Sequence, residues 1–290
     1  MKINRNTVLV GCNVALVPYR KQHVPRYHEW MKDPLIQEQT ASEPLSLEEE
    51  YEMQQSWAVD EDKLTFIILA LPQEHHDASD VDTIVSRGKM VGDVNIFFNQ
   101  RHEEEEQDQG DQTREKQCGS THSVVFDAEC EIMIAGELTL YRALRPFMTQ
   151  KLTPDYHVAP SSEHSHRRKG IARQALQMMF SFVTSQPTPK ARSLTELSHA
   201  RSVDVSSVDS AAASSVNKQH CTLPIPSDWL TCKISLSNNA SIKLFESLGF
   251  ARHTISEVWQ EVEMRFSSTD AALRQQCDKA IRQILFWQDG

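Results

Sequence analysis

The sequence has no long hydrophobic run, no secretory leader pattern, no excess of positive charge and no Cys-x-x-Cys pair, and each absence removes a class of protein. Its strongest apolar stretch, Phe66-Ile67-Ile68-Leu69-Ala70-Leu71, is strand-sized, whereas a membrane-crossing helix needs about 20 apolar residues. The opening residues, Met1-Lys2-Ile3-Asn4-Arg5-Asn6, lack the apolar core of a signal peptide. Lys and Arg number 30 against 40 Asp and Glu, a net charge of −10, which argues against a whole-surface grip on nucleic acid or on an anionic membrane. The six cysteines are scattered, so the expectation is reduced thiols in a cytoplasmic protein. Cys12, Cys130 and Cys232 sit in apolar alternations and read as small core residues. No G-x-S-x-G is present, so an α/β-hydrolase has no support. His164-x-His166 and His75-His76 have no cysteine pair beside them, and no metal is expected.

What remains is an ordinary globular composition, 39% hydrophobic and 24% charged over 290 residues, long enough for one large domain. Val8, Val10, Cys12, Val14 and Leu16 alternate and predict a first strand. A short helix is expected from about Tyr19 to Pro34. A second opens at Ser46, where Glu49 three residues on completes a capping box, and runs through Trp57. Strands follow at Leu64 to Leu71, Met90 to Phe98 and Val124 to Ala135. The strongest helix begins near Arg167, with Ala172, Ala175, Leu176, Met179, Phe180 and Val183 on one face. A fifth strand, Leu230 to Leu236, precedes a helix that ends at Gly249, a residue suited to a left-handed cap. Phe250 and Val258 to Phe266 supply the last strands. Leu273, Cys277, Ala280, Ile281, Ile284 and Leu285 predict a terminal amphipathic helix over 267–290. The fold class is α/β (α+β), with one crossover helix between strands four and five.

Three stretches do not belong to that pattern and read as insertions: an acidic one at about 101–123, one without a clear period at 136–165, and a Ser- and Pro-rich one at 186–227 that composition assigns to disorder.

Two motifs carry chemistry. Arg167-Arg168-Lys169-Gly170-Ile171-Ala172 stands at the start of the strongest helix. Backbone N–H groups are unpaired at a helix start, the dipole is positive there, and Gly170 permits close approach, so the segment suits a pyrophosphate. Asn238-Asn239-Ala240-Ser241-Ile242-Lys243-Leu244-Phe245-Glu246-Ser247-Leu248-Gly249-Phe250 follows the next strand. This ordered pair resembles the GNAT superfamily of acetyl-CoA-dependent N-acetyltransferases, whose patterns are Q/R-x-x-G-x-G/A and N-x-x-A/S-x-x-L-Y/F-x-x-x-G-F. The runs Val14 to Tyr19, His23 to Met31, Thr40 to Glu48, Met90 to Asn95 and Glu131 to Ala135 resemble the N-acetyltransferase 9-like branch.

The resemblance implies a mixed, twisted sheet splayed between strands four and five, over a domain spanning 1–266. It implies that the backbone of Met133, Ile134 and Ala135 pairs with the pantetheine arm of acetyl-CoA. The amides from Arg168 to Ala172 would hold the pyrophosphate, beside Arg167. Asn238 would lie near the thiol side, and Phe245 against the arm. The implied reaction is direct attack of a neutral amine, expected to belong to a protein, on the acetyl thioester. Glu129 and Glu131, on one face of strand four, are the candidate bases. The alternative is a catalytically silent protein that binds the cofactor or a partner. It is motivated by the thirty residues between Ala135 and His166, where the family pattern has few, and by Phe245, which cannot donate a proton where many members have Tyr. No nucleic-acid or membrane partner is expected.

Overall fold

The computed structural model describes residues 1–72, 80–100, 126–135, 170–185 and 221–288. Insertions 101–123 and 136–165, residues 186–220 of the third, and the His75-His76 and His164-x-His166 pairs lie outside the described residues.

The first apolar alternation folds as a hairpin and not as one strand. β1 (Thr7–Val10) and β2 (Val14–Pro18) pair antiparallel through Leu9–Leu16 and Val10–Ala15. Gly11 N–H donates to Val14 O (2.8 Å) to close the turn. Cys12 lies in that turn and is exposed, correcting the expectation that it is a core residue; Cys130 and Cys232 are buried. Every residue of β1 and β2 is buried because both sheet faces are covered.

The segment after Tyr19 makes two helices: α1 (Val24–Met31), then α2 (Pro34–Gln39), where Asp33 caps the start and Pro34 takes the first turn. α3 (Leu47–Val59) opens with the expected capping box. Ser46 N–H donates to Glu49 Oε2 (2.8 Å), and Glu49 N–H donates to Ser46 Oγ (3.3 Å). β3 (Lys63–Ala70), β4 (Lys89–Gln100) and β5 (Phe126–Ile134) extend the antiparallel sheet, with α4 (Val81–Arg87) between β3 and β4. α4 has no counterpart in the sequence reading. It is one short stretch with a single buried residue, Ile84.

α5 (Ile171–Thr184) crosses to β6 (Leu230–Ser235), which pairs parallel with β5. Residues 221–227, expected to be disordered, are ordered before it. Cys221 and Ile225 are buried, and Ile225 N–H donates to Val183 O (2.8 Å) at the end of α5. α6 (Asn239–Glu246) leads into β7 (Phe250–Ser256) and β8 (Glu261–Phe266). Val258 and Trp259, assigned to a strand by pattern, form the exposed turn between these two strands.

The chain end departs most from expectation. Only α7 (Asp270–Cys277) is helical, and β9 (Gln283–Phe286) pairs with β1 through Val8–Leu285 and Leu9–Ile284. Ile284 packs with one core cluster and Leu285 with the other, as a strand directs neighbours to opposite faces. β1 otherwise presents an open edge, which β9 covers.

The sheet has nine strands in the order β7-β8-β6-β5-β4-β3-β2-β1-β9. One core cluster joins Leu16, Phe66, Ile96 and Cys130 to α5, α6 and α7; the other joins Val17, Ile67 and Met133 to α1, α2 and α3.

Candidate functional site

β5 and β6 pair for two rungs, Ala128–Leu230 and Glu129–Thr231, and then part. On its other side β5 stays paired with β4 as far as Gly92–Ile134, and Ala135 N–H donates to Val91 O (2.9 Å). β6 meanwhile pairs with β8 along Thr231–Ser235. The end of β5, including Met133, Ile134 and Ala135, therefore has one edge held by β4 and the other open toward the gap. This is the splay that the sequence reading expected between its strands four and five.

α5 packs against β5, and its first turn accepts from Asn13 N–H through Gln174 Oε1 (3.1 Å). Its N-cap, Gly170, has φ +76° and no side-chain cap, and the first turn carries no acid. A Cβ placed on Gly170 would meet none of the described residues within 4 Å. The helix start thus offers uncapped amides, Ile171 and Ala172 among them, to open space. Ile171 is buried and anchors the turn to the core. Arg167, Arg168 and Lys169 lie outside the described residues.

α6 is tied to α5 where Arg173 Nη2 donates to Ser247 Oγ (2.6 Å). Asn238 is its N-cap, and its Oδ1 accepts from Ser241 N–H (3.2 Å). Phe245 is 2% exposed, edge-on to Phe250 with ring centres 5.1 Å apart. Phe250 in turn contacts Phe180 and Phe266. Asn238 and Phe245 thus have structural partners of their own: a cap and an aromatic core.

Glu129 and Glu131 point to the opposite sheet face from Cys130, into a cavity of about 620 Å³ that Asp60, Asp62, Lys63 and Phe97 also line. Lys63 lies over the Trp57 ring, 4.6 Å from its centre. Glu129 Oε2 accepts from Lys233 Nζ (2.9 Å), so its charge is matched. Glu131 has no ion pair among the described residues. Glu131 is an exposed residue that opens to the cavity. The protein atoms around the base of its side chain still push its carboxyl up, to about 7, by desolvation first, then by repulsion from Glu129 and Asp93, with Lys233 opposing, and its exposure to water makes this the upper end of the rise. A carboxyl half-ionised near neutral pH beside an acidic cavity can attract a cationic amine and take its proton.

Sequence reasoning gave no role to Lys63, Asp93 or Asn95. The last two carried a signal: polar residues alternating with Val94 and Ile96 inside a strand whose two faces are both covered. Among the described residues, no group of three or more His, Cys, Asp and Glu could hold a metal ion, and no helix is long and apolar enough to cross a membrane.

Comparison with known proteins gives a consistent family. No family model matches the chain. An N-acetyltransferase 9-like protein of Nematostella vectensis is 33% identical over 270 residues, covering 93% of this chain and 90% of the relative. One from Schizosaccharomyces pombe is 30% identical over 275 residues, covering 93% and 100%. The alpha/beta-tubulin-N-acetyltransferase 9 of Drosophila melanogaster is 31% identical over 264 residues, covering 91% and 88%. Among solved structures, a ribosomal L7/L12 alpha-N-protein acetyltransferase in complex with coenzyme A aligns with a TM-score of 0.45 at 12% identity, covering 91% of this chain and 99% of that one. With relatives this similar over nearly their whole length, the chain belongs to the N-acetyltransferase 9-like family of acetyltransferases.

Proposed function

We propose that this protein moves an acetyl group from acetyl-CoA to an amine of a protein, with Glu131 as the base. The observation that carries the reading is the parting of β5 from β6 beside an uncapped helix start. The open edge at Met133, Ile134 and Ala135 suits an extended amide-bearing arm, which can add to a strand edge as another strand would. The amides after Gly170 suit a pyrophosphate, and the cations Arg167, Arg168 and Lys169 precede them in sequence. Acetyl-CoA supplies an activated thioester. The chain's part is to orient it in the gap and to deprotonate the amine, because an ammonium has no lone pair.

Transfer forms the amine N–C bond and breaks the C–S bond. Glu131 takes the proton of the ammonium before attack, and the second N–H proton, lost as the N–C bond forms, passes through water to the departing sulfur, since Phe245 has none to give. Of the two candidate carboxylates, Glu129 is engaged by Lys233, which leaves Glu131 for this role. A protein acceptor is supported by the Drosophila relative, which is named for tubulin, and by the acidic cavity on the face opposite α5. The five described cysteines are free thiols, in keeping with the reducing cytoplasm.

The test is release of free CoA and gain of one acetyl group on peptide acceptors, for wild type and Glu131→Gln. The reading expects turnover by wild type and a loss of about 10²–10⁴-fold in kcat for the variant, with acetyl-CoA binding intact. A wild type that binds acetyl-CoA but acetylates no amine supports the silent alternative. A variant as fast as wild type removes Glu131 from the reaction.

A further inference from the structure

Behind Glu131 runs a seam of buried polar groups that the reading above does not use. The register sets Asn95 directly across from Glu131 on β5 and across from Thr65 on β3. Directly opposed residues of an antiparallel pair share a face, with Cβ atoms roughly 5 Å apart. Two residues along β4, Asp93 is on that face as well, 1% exposed. Asn95 Nδ2 donates to Asp93 Oδ2 (2.7 Å). Asp93 Oδ1, Asn95 Oδ1 and Thr65 Oγ1 are all buried without a hydrogen-bond partner among the described residues. Just after β2, Tyr19 OH, and on α3, Glu50 Oε2, are also buried with no hydrogen-bond partner among the described residues. Native proteins leave few such atoms, and each calls for a function or a bound water.

The charges that face this seam come from every neighbouring element. Tyr19 and Tyr27 stand between Asp93 and Glu50, which His28 Nδ1 faces at 4.0 Å. Around Glu131 stand Glu129, Lys233 and Glu261. No cation pairs with Asp93 among the described residues, and its carboxyl is held by the Asn95 amide and by its own backbone N–H. An amide held by its nitrogen has its oxygen fixed as well. Asn95 Oδ1 is then a stationary buried acceptor on the residue that pairs across the strands with Glu131.

We propose that Asp93 is a positioning residue for acetyl transfer: it holds the Asn95 amide so that Asn95 Oδ1 orders the water through which Glu131 takes the amine proton. The inference rests on Glu131 acting as the base. The proton passes from the ammonium to water as that water gives one to the Glu131 carboxylate, leaving a neutral amine, a neutral carboxylic acid and the same water. Asp93 exchanges no proton in the step. It fixes geometry, and as it ionises near neutral pH its charge opposes ionisation of Glu131.

Three variants of the full chain separate this from a packing role. Asp93→Asn keeps an acceptor for the Asn95 amide and removes the charge; the acid limb of kcat/KM should move to lower pH while the plateau stays within about threefold. Asp93→Leu and Asn95→Leu each remove the hold, and each should lower plateau kcat at least tenfold with KM for acetyl-CoA unchanged. Because both act through one amide, the double variant should be no slower than the slower single one. Cooperative thermal unfolding checks that each variant is folded, and Asn95→Leu with Asp93→Asn still decides the question if Asp93→Leu is not. An unmoved pH limb in Asp93→Asn, or wild-type plateau rates in folded Asn95→Leu, overturns the inference. So do single losses that multiply in the double. If Glu131→Gln is slow while these variants are unaffected, this inference alone fails. If Glu131→Gln is as fast as wild type, the base assignment fails and takes this one with it.

Discussion

Gly92→Ala should damage the fold and the cofactor edge together. Gly92 lies between β3 and β5, opposite Ile68 on one side and Ile134 on the other, next to a register shift in the β3–β4 ladder. A Cβ there would stand 2.0 Å from Met133 O, 3.0 Å from Met133 C and 3.1 Å from Ile134 Cα. Ordinary contact begins near 3.4 Å, so the strands must separate by more than an ångström, and the atoms in the way are backbone. Overpacking of this kind costs about 1–3 kcal/mol, and each strained ladder hydrogen bond adds roughly 1 kcal/mol. The expected loss is about 2–4 kcal/mol, or a Tm lower by roughly 5–15 °C. Urea unfolding followed by circular dichroism measures the first, and a thermal scan the second. The displaced segment is the one proposed to pair with the pantetheine arm, so acetyl-CoA binding should weaken at least tenfold in the same variant. Gly170→Ala is the contrast: it meets no atom and should cost only the roughly 1 kcal/mol of a left-handed backbone. A Gly92→Ala protein within about 0.5 kcal/mol of wild type, with unchanged binding, would refute the argument.

Two further outcomes are expected. Burial pushes Asp93 up from 3.8 to about 7, so the folded state binds a proton that the unfolded chain has released between those values. Stability should therefore fall as pH rises from about 4 to 7, by up to roughly 4 kcal/mol from this group, and Asp93→Asn should flatten that slope in urea titrations across pH. Phe245→Tyr places a hydroxyl in the aromatic cluster of Phe250, Phe180 and Phe266; it should cost about 1–3 kcal/mol without raising kcat, and a faster enzyme would show that the hydroxyl reaches the leaving sulfur.

What the sequence made legible is local. The capping box at Ser46 and Glu49, the apolar stripe of α5 and the left-handed Gly249 are each set within a few residues, and each is present. The turn at Gly11 to Asn13 was hidden because both halves of the hairpin keep the same alternation. β9 was hidden because Ile284 and Leu285 continue a helical spacing from Leu273 and Cys277, and only the open edge of β1, distant in sequence, decides for a strand. At the site, Glu129 and Glu131 follow from strand periodicity. Their inequivalence does not: it depends on Lys233, delivered by the parallel pairing of β6. Asp93 and Asn95 were visible as polar residues in an apolar strand, but their partnership with Glu131 is a matter of register across β4 and β5.

The most direct test of the cofactor site is a thermal-unfolding titration with acetyl-CoA on wild type and Gly170→Glu. At about 100 times the dissociation constant, a ligand of the folded state adds roughly 2.7 kcal/mol, which for this size raises Tm by about 5–10 °C. A Cβ at position 170 meets no described atom within 4 Å, and the Glu side chain sets a carboxylate where the phosphates would lie. A shift in wild type that is lost in the variant is the predicted result. Equal shifts in both, or none in wild type, would contradict a cofactor held between β5, β6 and the start of α5.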